Sequence, residues 1–247
     1  MLKKGFRLDV TLVDRGFFAS RRQAQAAIMA GDVQINGRPA RKASDSVATG
    51  HQITVATKSR YVGRGGTKLE GALGHFAVDC AQKIALDIGA STGGFTDCLL
   101  QHGARKVFAL DVGHGQLAWK IREDPRVVVL EKTNARQISG DQFPEPIDIC
   151  TIDVSFISLT LILPGAFDLL ISEGIILALI KPQFELARED VGRGGVVRDP
   201  ALHAKVQDKI VVFSESIGAR IEGLFPSTIT GADGNQEFFI CLRKPSE

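Results

Sequence analysis

The stretch Ile84-Ala-Leu-Asp-Ile-Gly-Ala-Ser-Thr-Gly-Gly-Phe-Thr-Asp97 decides the fold, because it indicates a buried strand that turns sharply into a helix. Ile84, Leu86 and Ile88 are apolar at strand spacing, and three glycines follow before a helix predicted to begin near Phe95. Glycine lets the backbone approach a ligand closely, and the first turn of a helix offers unpaired N–H groups. The stretch therefore predicts a ligand site at the end of a strand.

The polar residues around this turn favour one class of cofactor. Ser91 stands where the dinucleotide fingerprint Gly-x-Gly-x-x-Gly has its second glycine, which argues against a nicotinamide or flavin cofactor. The spacing Asp87-x-Gly-x-x-x-Gly-Gly94 is instead similar to that of S-adenosylmethionine-dependent methyltransferases of the doubly wound class. The next predicted strand, Lys106–Leu110, ends at Asp111, where an acidic side chain can bind a ribose diol. The alternative is that Asp87 and the glycines only shape a turn, but the second acidic strand end favours a cofactor site.

Composition is that of an intracellular enzyme. The 247 residues, 44% of them hydrophobic, suffice for one α/β domain and a small second domain. The four cysteines are widely separated, which predicts reduced core thiols and neither disulfides nor metal ligands. The N-terminus lacks the apolar run of a signal peptide, and the longest apolar region, 154–180, is interrupted by charged residues and proline. We therefore expect a cytoplasmic protein.

Charge is distributed unevenly along the chain. Residues 1–68 carry 13 Lys or Arg against 4 Asp or Glu, and the remainder carries 17 against 24. The first 68 residues thus carry a net charge of +9, and the rest of the chain carries −7. This asymmetry predicts a module that faces nucleic acid, joined to an acidic catalytic body, although a basic segment can also be an ordinary solvated surface.

The basic segment shows the pattern of two helices and a hairpin. Leu8 and Leu12 have helical spacing before Gly16, and Ser20 is positioned to cap a second helix. The two arginines that follow Ser20 occupy the positive end of that helix, which predicts an anionic partner such as phosphate. Asn36-Gly37 is a strong hairpin signal.

The motifs of this segment resemble the S4 RNA-binding domain. They are Arg7-Leu-Asp, Ser20-Arg-Arg-Gln-Ala24 and Ile28-x-x-Gly31-x-Val33-x-Ile35-Asn-Gly37. The resemblance implies a small α+β domain over residues 1–57 that binds structured RNA through its paired helices. The candidate RNA contacts are Arg7, Arg21, Arg22 and Lys42.

Strand and helix patterns alternate through the rest of the chain. After a linker at 58–62, we expect a catalytic domain over 63–247 with strands at 84–88, 106–110, 127–130, 147–153, 174–181, 219–225 and 236–242. Such alternation predicts a Rossmann-like domain with a mostly parallel seven-stranded sheet. The loop at 226–235 is too short for a crossover helix, so the last strand should run antiparallel.

Four charged residues are expected at one edge of this sheet. Asp153 and Lys181 end parallel strands, and Glu237 begins the antiparallel one. Thr67 and Glu70 form a capping-box pattern, so a helix should begin at Thr67 with Lys68 in its first turn. Taken singly, each charge could cap a turn, end a strand or lie on the surface.

In chain order these residues match the Lys-Asp-Lys-Glu tetrad of FtsJ-type ribose 2′-O-methyltransferases. Together with the S4 module, Arg60-Tyr-Val-x-Arg64-Gly-Gly-x-Lys68-Leu, Asp153-Val-Ser-Phe-Ile-Ser158 and Lys181-Pro-Gln-Phe-Glu185 closely resemble the TlyA family. The resemblance implies a class I methyltransferase that methylates cytidine ribose 2′-hydroxyls in ribosomal RNA, with S-adenosylmethionine as donor and ribosomal RNA or ribosomal subunits as partners.

The candidate cofactor residues follow from the same turn and strand ends. They are Asp87, Gly89, Ser91, Gly93, Gly94, Phe95, Asp111 and Asn134. Two positions depart from the family pattern: Thr92 replaces a proline of FtsJ enzymes, and Asn134 replaces the acidic residue often expected after the third strand. Asn134 can still form a hydrogen bond with adenine.

Each member of the tetrad receives an expected role. Lys181 helps to remove the 2′-hydroxyl proton and Asp153 orients Lys181, while Lys68 and Glu237 hold the ribose and the lysine in position. No metal is required. The alternatives are a binding-only S4 protein, a small-molecule methyltransferase, or a cytolysin as the hemolysin label of some TlyA proteins suggests. The two Gly-Arg-Gly-Gly stretches, 63–66 and 192–195, could be lids that contact RNA or only flexible loops, and we expect mobile loops with some role in RNA binding.

Overall fold

The computed structural model describes residues 5–29, 32–48, 50–55, 60–192, 194–231 and 233–246. The chain divides into two compact units, residues 1–59 and residues 60–247.

The first unit is a small α+β domain. Its elements are β1 (Phe6–Arg7), α1 (Leu8–Asp14), α2 (Arg21–Met29), β2 (Val33–Ile35), β3 (Arg38–Pro39), β4 (Ser46–Val47) and β5 (Ile53–Val55). Strands β3, β2 and β5 form an antiparallel sheet, and β1 pairs with β4. The two helices pack on this framework through a core of Leu8, Leu12, Ala24, Ile28, Val33, Val47 and Ile53.

Local signals of the first unit act as expected. Gly16, at a φ of 77°, follows the end of α1, and the Ser20 hydroxyl accepts a hydrogen bond from the Gln23 N–H at 3.4 Å. Asn36 and Gly37 both adopt positive φ, as a tight hairpin between β2 and β3 requires. Strand β5 covers 53–55, and residues 56–59 lie outside the described residues.

The second unit is a doubly wound α/β domain. Its helices are α3 (Arg64–His75), α4 (Gly94–Gln101), α5 (Trp119–Arg122), α6 (Leu163–Asp168), α7 (Pro182–Glu185) and α8 (Pro200–Ser216). Its strands are β6 (Ile84–Ile88), β7 (Lys106–Leu110), β8 (Val127–Leu130), β9 (Ile147–Ile152), β10 (Leu170–Ile180), β11 (Arg220–Pro226) and β12 (Phe238–Arg243).

The seven strands form one sheet in the order β11-β12-β10-β9-β6-β7-β8. Neighbours from β10 to β8 are parallel, and β12 is antiparallel to both β10 and β11. The predicted mostly parallel seven-stranded sheet with a reversed last strand is therefore confirmed.

Helices cover both faces of this sheet. On one face, Leu163 of α6 and Ile210 of α8 join a core cluster with Ile88 of β6. On the other face, Leu69 of α3 and Leu99 of α4 join a second cluster. With both faces covered, the open edge at the carboxyl ends of the parallel strands is the place for a ligand. Among the described residues, no helix is long and apolar enough to cross a membrane.

Helix α3 begins earlier than its capping-box pattern predicts. Gly63 is the N-cap, so Thr67 lies inside the helix and Lys68 lies in the second turn, not the first. Glycines allow this start, because a Cβ on Gly66 would lie 2.2 Å from the Tyr61 ring. The first Gly-Arg-Gly-Gly stretch is therefore packed helix, and its prediction as a mobile loop was wrong.

Part of the predicted linker belongs to the second unit. Residues 60–62, which we assigned to the linker 58–62, belong to the second unit. Tyr61 is buried, and the Val62 N–H donates a hydrogen bond to Asp97 Oδ2 at 2.8 Å. These contacts pack the segment against α4. Strand β10 likewise starts at Leu170, before the predicted residue 174, with a register shift before Ile175.

Candidate active site

A cavity of about 510 Å³ opens at the carboxyl edge of the sheet. It lies in the second unit and is lined by the turn after β6, the end of β7 and the segment that follows β9. Candidate residues among its lining are Gly89, Ser91, Asp111, Asn134 and Asp153. A second cavity of about 190 Å³ shares some of these residues and is also lined by Gly94 and Phe95. We call the two together the cleft, and its size is in the range of small-molecule sites.

Two glycines are required where the backbone turns at the cleft. Gly89 has a φ of 87°, and a Cβ there would lie 2.3 Å from the carbonyl oxygen of Asp153. Gly93 has a φ of 93°, caps α4, and would place a Cβ 2.9 Å from Leu117 Cδ1. Side chains are therefore excluded at both positions, and the N-terminus of α4 is brought to the cleft.

Asp111 and Asn134 both line the cleft. The Asp111 carboxylate accepts hydrogen bonds from the Ser91 N–H at 2.8 Å and the Gly113 N–H at 2.7 Å. A carboxylate has further acceptor positions, so Asp111 can still accept from a diol. The Asn134 Oδ1 accepts from the Arg136 N–H at 3.0 Å, while its amide N–H groups remain available as donors.

Asp87 does not line the cleft, in contrast to the predicted cofactor contact. Its side chain is fully buried beneath the turn, where its carboxylate accepts from Thr96 Oγ1 at 2.6 Å and from Thr151 Oγ1 at 3.0 Å. Burial raises the pKa of this carboxyl to about 7. The alternative, in which Asp87 shapes the turn, fits this geometry, so any effect of Asp87 on the cofactor is indirect.

The raised pKa of Asp87 predicts a pH-dependent effect of Asp87→Asn on stability. Between its ordinary pKa near 3.8 and the raised value near 7, the folded chain holds a proton that the unfolded chain releases. This contribution to the free energy of unfolding is full at low pH and is lost as the pH rises through about 7. Asparagine cannot ionise, so we expect the variant to gain stability relative to the parent as the pH rises.

Urea unfolding of parent and variant at about pH 5 and about pH 8 measures this difference. Asp208→Asn, at an exposed position on α8, is the matched control and should show no such trend. A stability difference that does not change with pH would contradict the buried titration of Asp87.

The four tetrad residues form two ion pairs. Lys68 Nζ lies 2.5 Å from Glu237 Oε2, and these side chains are only 10% and 3% exposed. Lys181 Nζ lies 2.5 Å from Asp153 Oδ1 and also donates to Ser155 Oγ at 3.0 Å. A lysine with two oxygen partners is held in one orientation, as proton transfer requires.

Strand register places both pairs at the same edge. The last residue of β10 pairs with the first of β12, so Lys181 and Glu237 follow at neighbouring positions beyond this pair. On α3, Gly65 lies one turn before Lys68, and a Cβ on Gly65 would lie 3.9 Å from Asp153 Oδ2. The structure thus gathers the four predicted residues beside the cleft.

The loop after β9 carries an aromatic residue to which the sequence reasoning gave no role. Phe156 is 91% exposed, has a φ of 63° and lines the cleft. Its ring centroid lies 4.9 Å from that of Phe184 in α7. Phe156 thus combines a positive φ with an exposed aromatic ring at the cleft.

Glu185 holds the far end of this loop. Its buried carboxylate accepts from Ser158 Oγ at 2.6 Å, from the Leu159 N–H at 2.7 Å and from Lys209 Nζ at 2.9 Å. The only sequence signal for Glu185 was its place at the end of the Lys181 motif. The short helix α7 therefore fixes the loop that begins at Asp153.

The RNA candidates lie in the first unit. Arg7, Arg21, Arg22 and Lys42 are all exposed. Arg7 Nε and Arg21 Nη2 lie 3.0 Å and 2.9 Å from carboxylate oxygens of Asp9, a residue that we did not single out from the sequence. In the second Gly-Arg-Gly-Gly stretch, Arg193 lies outside the described residues. Within the described part of the chain, no group of three or more His, Cys, Asp or Glu could hold a metal ion.

Comparisons with known proteins cover both units. The S4 domain model matches residues 6–53, and the FtsJ-like methyltransferase model matches residues 61–244. The 16S/23S rRNA (cytidine-2′-O)-methyltransferase TlyA of Mycobacterium tuberculosis is 44% identical over 98% of this chain and 91% of that protein. A Streptococcus thermophilus protein, solved under a hemolysin name, has 42% identity and a TM-score of 0.76 over 99% of this chain and 90% of that one.

A more distant structure supports the fold of the second unit. It is the complex of the N-methyltransferase NodS from Bradyrhizobium japonicum with S-adenosyl-L-homocysteine, and its identity is 13%. The TM-score is 0.52 over 72% of this chain and 86% of that chain. At this identity the likeness concerns the fold alone.

Proposed function

Since this chain belongs to the TlyA family of FtsJ-like methyltransferases that carry an S4 domain, we propose that it methylates a cytidine ribose 2′-hydroxyl in ribosomal RNA. The observation that carries the proposal is the Lys181–Asp153 pair beside the cleft, because that pair provides a positioned lysine where a methyl acceptor would lie.

The family and the cleft imply S-adenosylmethionine as the cofactor, and it supplies a methyl group on a cationic sulfur. We propose that Asp111 accepts the hydroxyls of its ribose and that Asn134 donates to its adenine. The backbone around Gly89, Ser91 and Gly93 would line the methionine part, with Gly94 and Phe95 behind it. These residues fit the group because the cleft has both a carboxylate for a diol and the N-terminus of α4, where Gly94 and Phe95 line it.

The proposed chemistry is a direct displacement. The 2′-oxygen would bond to the methyl carbon as the bond between that carbon and sulfur breaks, which leaves a neutral thioether. The 2′-hydroxyl proton must leave at the same time, and Lys181 Nζ would accept it as the neutral amine, after its own proton has passed to solvent. Asp153 then stabilises the ammonium that forms, and Ser155 holds the same nitrogen in place. The Lys68–Glu237 pair presents polar atoms for the ribose from the neighbouring strand and helix.

Phe156 is proposed to stack on the target base. An exposed ring at the mouth of the cleft can hold a base outside an RNA helix, and such stacking contributes about 1–3 kcal/mol per base. The ring also contacts the Phe184 ring of α7. The basic first unit would supply the affinity for structured RNA, with Arg7, Arg21, Arg22 and Lys42 as phosphate contacts.

For Asp111, we expect Asp111→Ala to weaken S-adenosylmethionine binding by roughly 1.5–3 kcal/mol, the scale of a hydrogen bond to a charged group. Isothermal titration calorimetry measures this change. Asp111→Asn is a milder variant, because the amide oxygen still accepts a backbone N–H. Asp208→Ala on α8 is the control and should bind like the parent. An Asp111→Ala variant with parent affinity would show that Asp111 only shapes the turn.

The substrate is tested in a strain that lacks the gene. We propose that the protein acts in the cytoplasm on ribosomal RNA or on ribosomal subunits, where its basic unit meets structured RNA. Mapping ribose methylation in the deletion strain and after complementation should reveal a cytidine whose methyl group is lost and restored. Unchanged ribose methylation in both would exclude this substrate class.

A further inference from the structure

The first unit contains a buried carboxylate at the base of its candidate RNA contacts. The Asp9 side chain is fully buried, whereas the Arg7 and Arg21 side chains that cover it are 51% and 56% exposed. Gln25, one turn after Arg21 in α2, donates Nε2 to Asp9 Oδ2 at 2.8 Å. One carboxylate therefore connects β1, the first turn of α1 and α2.

Each arginine uses one edge of its guanidinium for this carboxylate. Arg7 donates Nε and Nη2 at 3.0 Å and 3.1 Å, and Arg21 donates Nε and Nη2 at 3.3 Å and 2.9 Å. The Nη1 groups take no part in these bonds. Guanidinium is planar and carries five N–H donors, so an edge anchored on a carboxylate leaves the opposite edge directed to a second anion.

The same carboxylate allows two cations to lie close together. Two guanidinium groups that share one region repel each other, and a negative charge between them removes most of this cost. The hydrogen bonds from Arg7 hold the pKa of Asp9 below its usual range, so Asp9 stays charged through the range in which RNA is stable. The hydrogen bonds from Arg7, Arg21 and Gln25 offset the free-energy cost of burying the Asp9 carboxylate.

We propose that Asp9 is a positioning residue for RNA, which holds Arg7 and Arg21 in one arrangement so that both bind the phosphates of a structured RNA. This inference rests on the proposed RNA-binding role of the first unit. The two arginines then act as one preorganised anion site, and the RNA does not have to order two long side chains on binding.

The change in RNA affinity on Asp9→Asn has opposite directions if Asp9 acts only through its charge and if it positions the two arginines. Removing a negative charge from an RNA-binding surface should strengthen binding, since RNA is an anion. If the Asp9 carboxylate positions the arginines, its replacement by an amide should weaken RNA binding by roughly tenfold. An amide oxygen accepts weaker hydrogen bonds than a carboxylate, so the two arginine side chains would be held less firmly. Asp14→Asn, at the exposed end of the same helix, has the same charge change without the anchor. It should bind as the parent does or slightly more tightly.

The probe is ribosomal subunits from the deletion strain, and the dissociation constant for the full chain is measured by filter binding at one salt concentration. Asp9→Asn is tested in the parent and in an Arg7→Ala/Arg21→Ala background. We expect Asp9→Asn to weaken subunit binding in the parent and to have almost no effect in the Arg7→Ala/Arg21→Ala background, because the side chains that Asp9 anchors are absent there. Equal losses in both backgrounds, as a general folding defect would produce, would overturn the inference.

Two further outcomes separate this inference from the proposed function. If Arg7→Ala/Arg21→Ala binds subunits like the parent, the two arginines are not RNA contacts. Their proposed role in RNA binding and the positioning role of Asp9 are then both wrong. If that double variant binds weakly but Asp9→Asn binds as tightly as Asp14→Asn, only the positioning role is wrong. S-adenosylmethionine binding by the second unit, measured in parallel, should be unchanged in every variant.

Discussion

Lys181→Ala is expected to slow methyl transfer by about a hundredfold or more, the usual effect of removing a positioned acid or base. The side chain is held between Asp153 and Ser155 beside the cleft, where it can take the 2′-hydroxyl proton. Binding of S-adenosylmethionine and of RNA should change little, because the proton moves only in the transition state. Single-turnover transfer and separate binding measurements distinguish the two effects.

Two control variants narrow the role of Lys181. Lys181→Arg keeps the positive charge but cannot lose a proton at neutral pH, so it should be nearly as slow as Lys181→Ala if the lysine is a base. Lys205→Ala removes a lysine that pairs with Asp190 on the surface and should be fully active. Recovery of activity by arginine would mean that Lys181 acts through its charge alone.

Breaking the Lys68–Glu237 pair is expected to reduce both stability and activity. The two side chains are buried at a separation of 2.5 Å, so Lys68→Met or Glu237→Gln leaves an unpaired buried charge. Such a change typically costs about 3–5 kcal/mol of unfolding free energy. Each variant should also lose on the order of a hundredfold in transfer rate, because the ion pair that is proposed to position the ribose is broken.

The double variant Lys68→Met/Glu237→Gln separates these two losses. It contains no unpaired charge, so its unfolding free energy should recover towards that of the parent. Its transfer rate should stay low, since neither charged partner is present. A double variant that regains activity together with stability would show that the pair only supports the fold.

The fold could be predicted largely from local patterns. The apolar run from Ile84 to Ile88 and the glycines after it indicate a strand, a tight turn and a helix, and the structure has all three. The reversal of β12 followed from the short loop before it, because loop length limits which connections are possible. These features depend on few residues that are near one another in sequence.

Features that depend on distant contacts could not be predicted in this way. The early start of α3 requires the close approach of Tyr61 to Gly66, and the Thr67–Glu70 pattern gives no sign of it. Asp87 lies beneath the turn because Thr96 and Thr151, from two other elements, bond to it. Periodicity and spacing contain no information about such partners.

The four tetrad residues could be predicted from the sequence because they lie at the carboxyl edge of the sheet. Strand ends collect at one edge in any parallel sheet, so charged residues there become neighbours wherever they stand in the chain. The contact between Asp153 and Lys181 was expected, but the pairing of Glu237 with Lys68 could not be predicted, because it depends on side-chain reach. The supporting Glu185 was missed for the same reason.

The proposed 2′-O-methyl transfer is tested by single-turnover reaction of labelled S-adenosylmethionine with ribosomal subunits of the deletion strain. The labelled RNA is digested to nucleosides, and the position of the methyl group is determined by mass spectrometry. The expected product with the parent chain is 2′-O-methylcytidine, and Lys181→Ala should form at least about a hundredfold less of it per unit time. A methyl group on a base, or a near-normal rate for Lys181→Ala, would contradict the proposed mechanism.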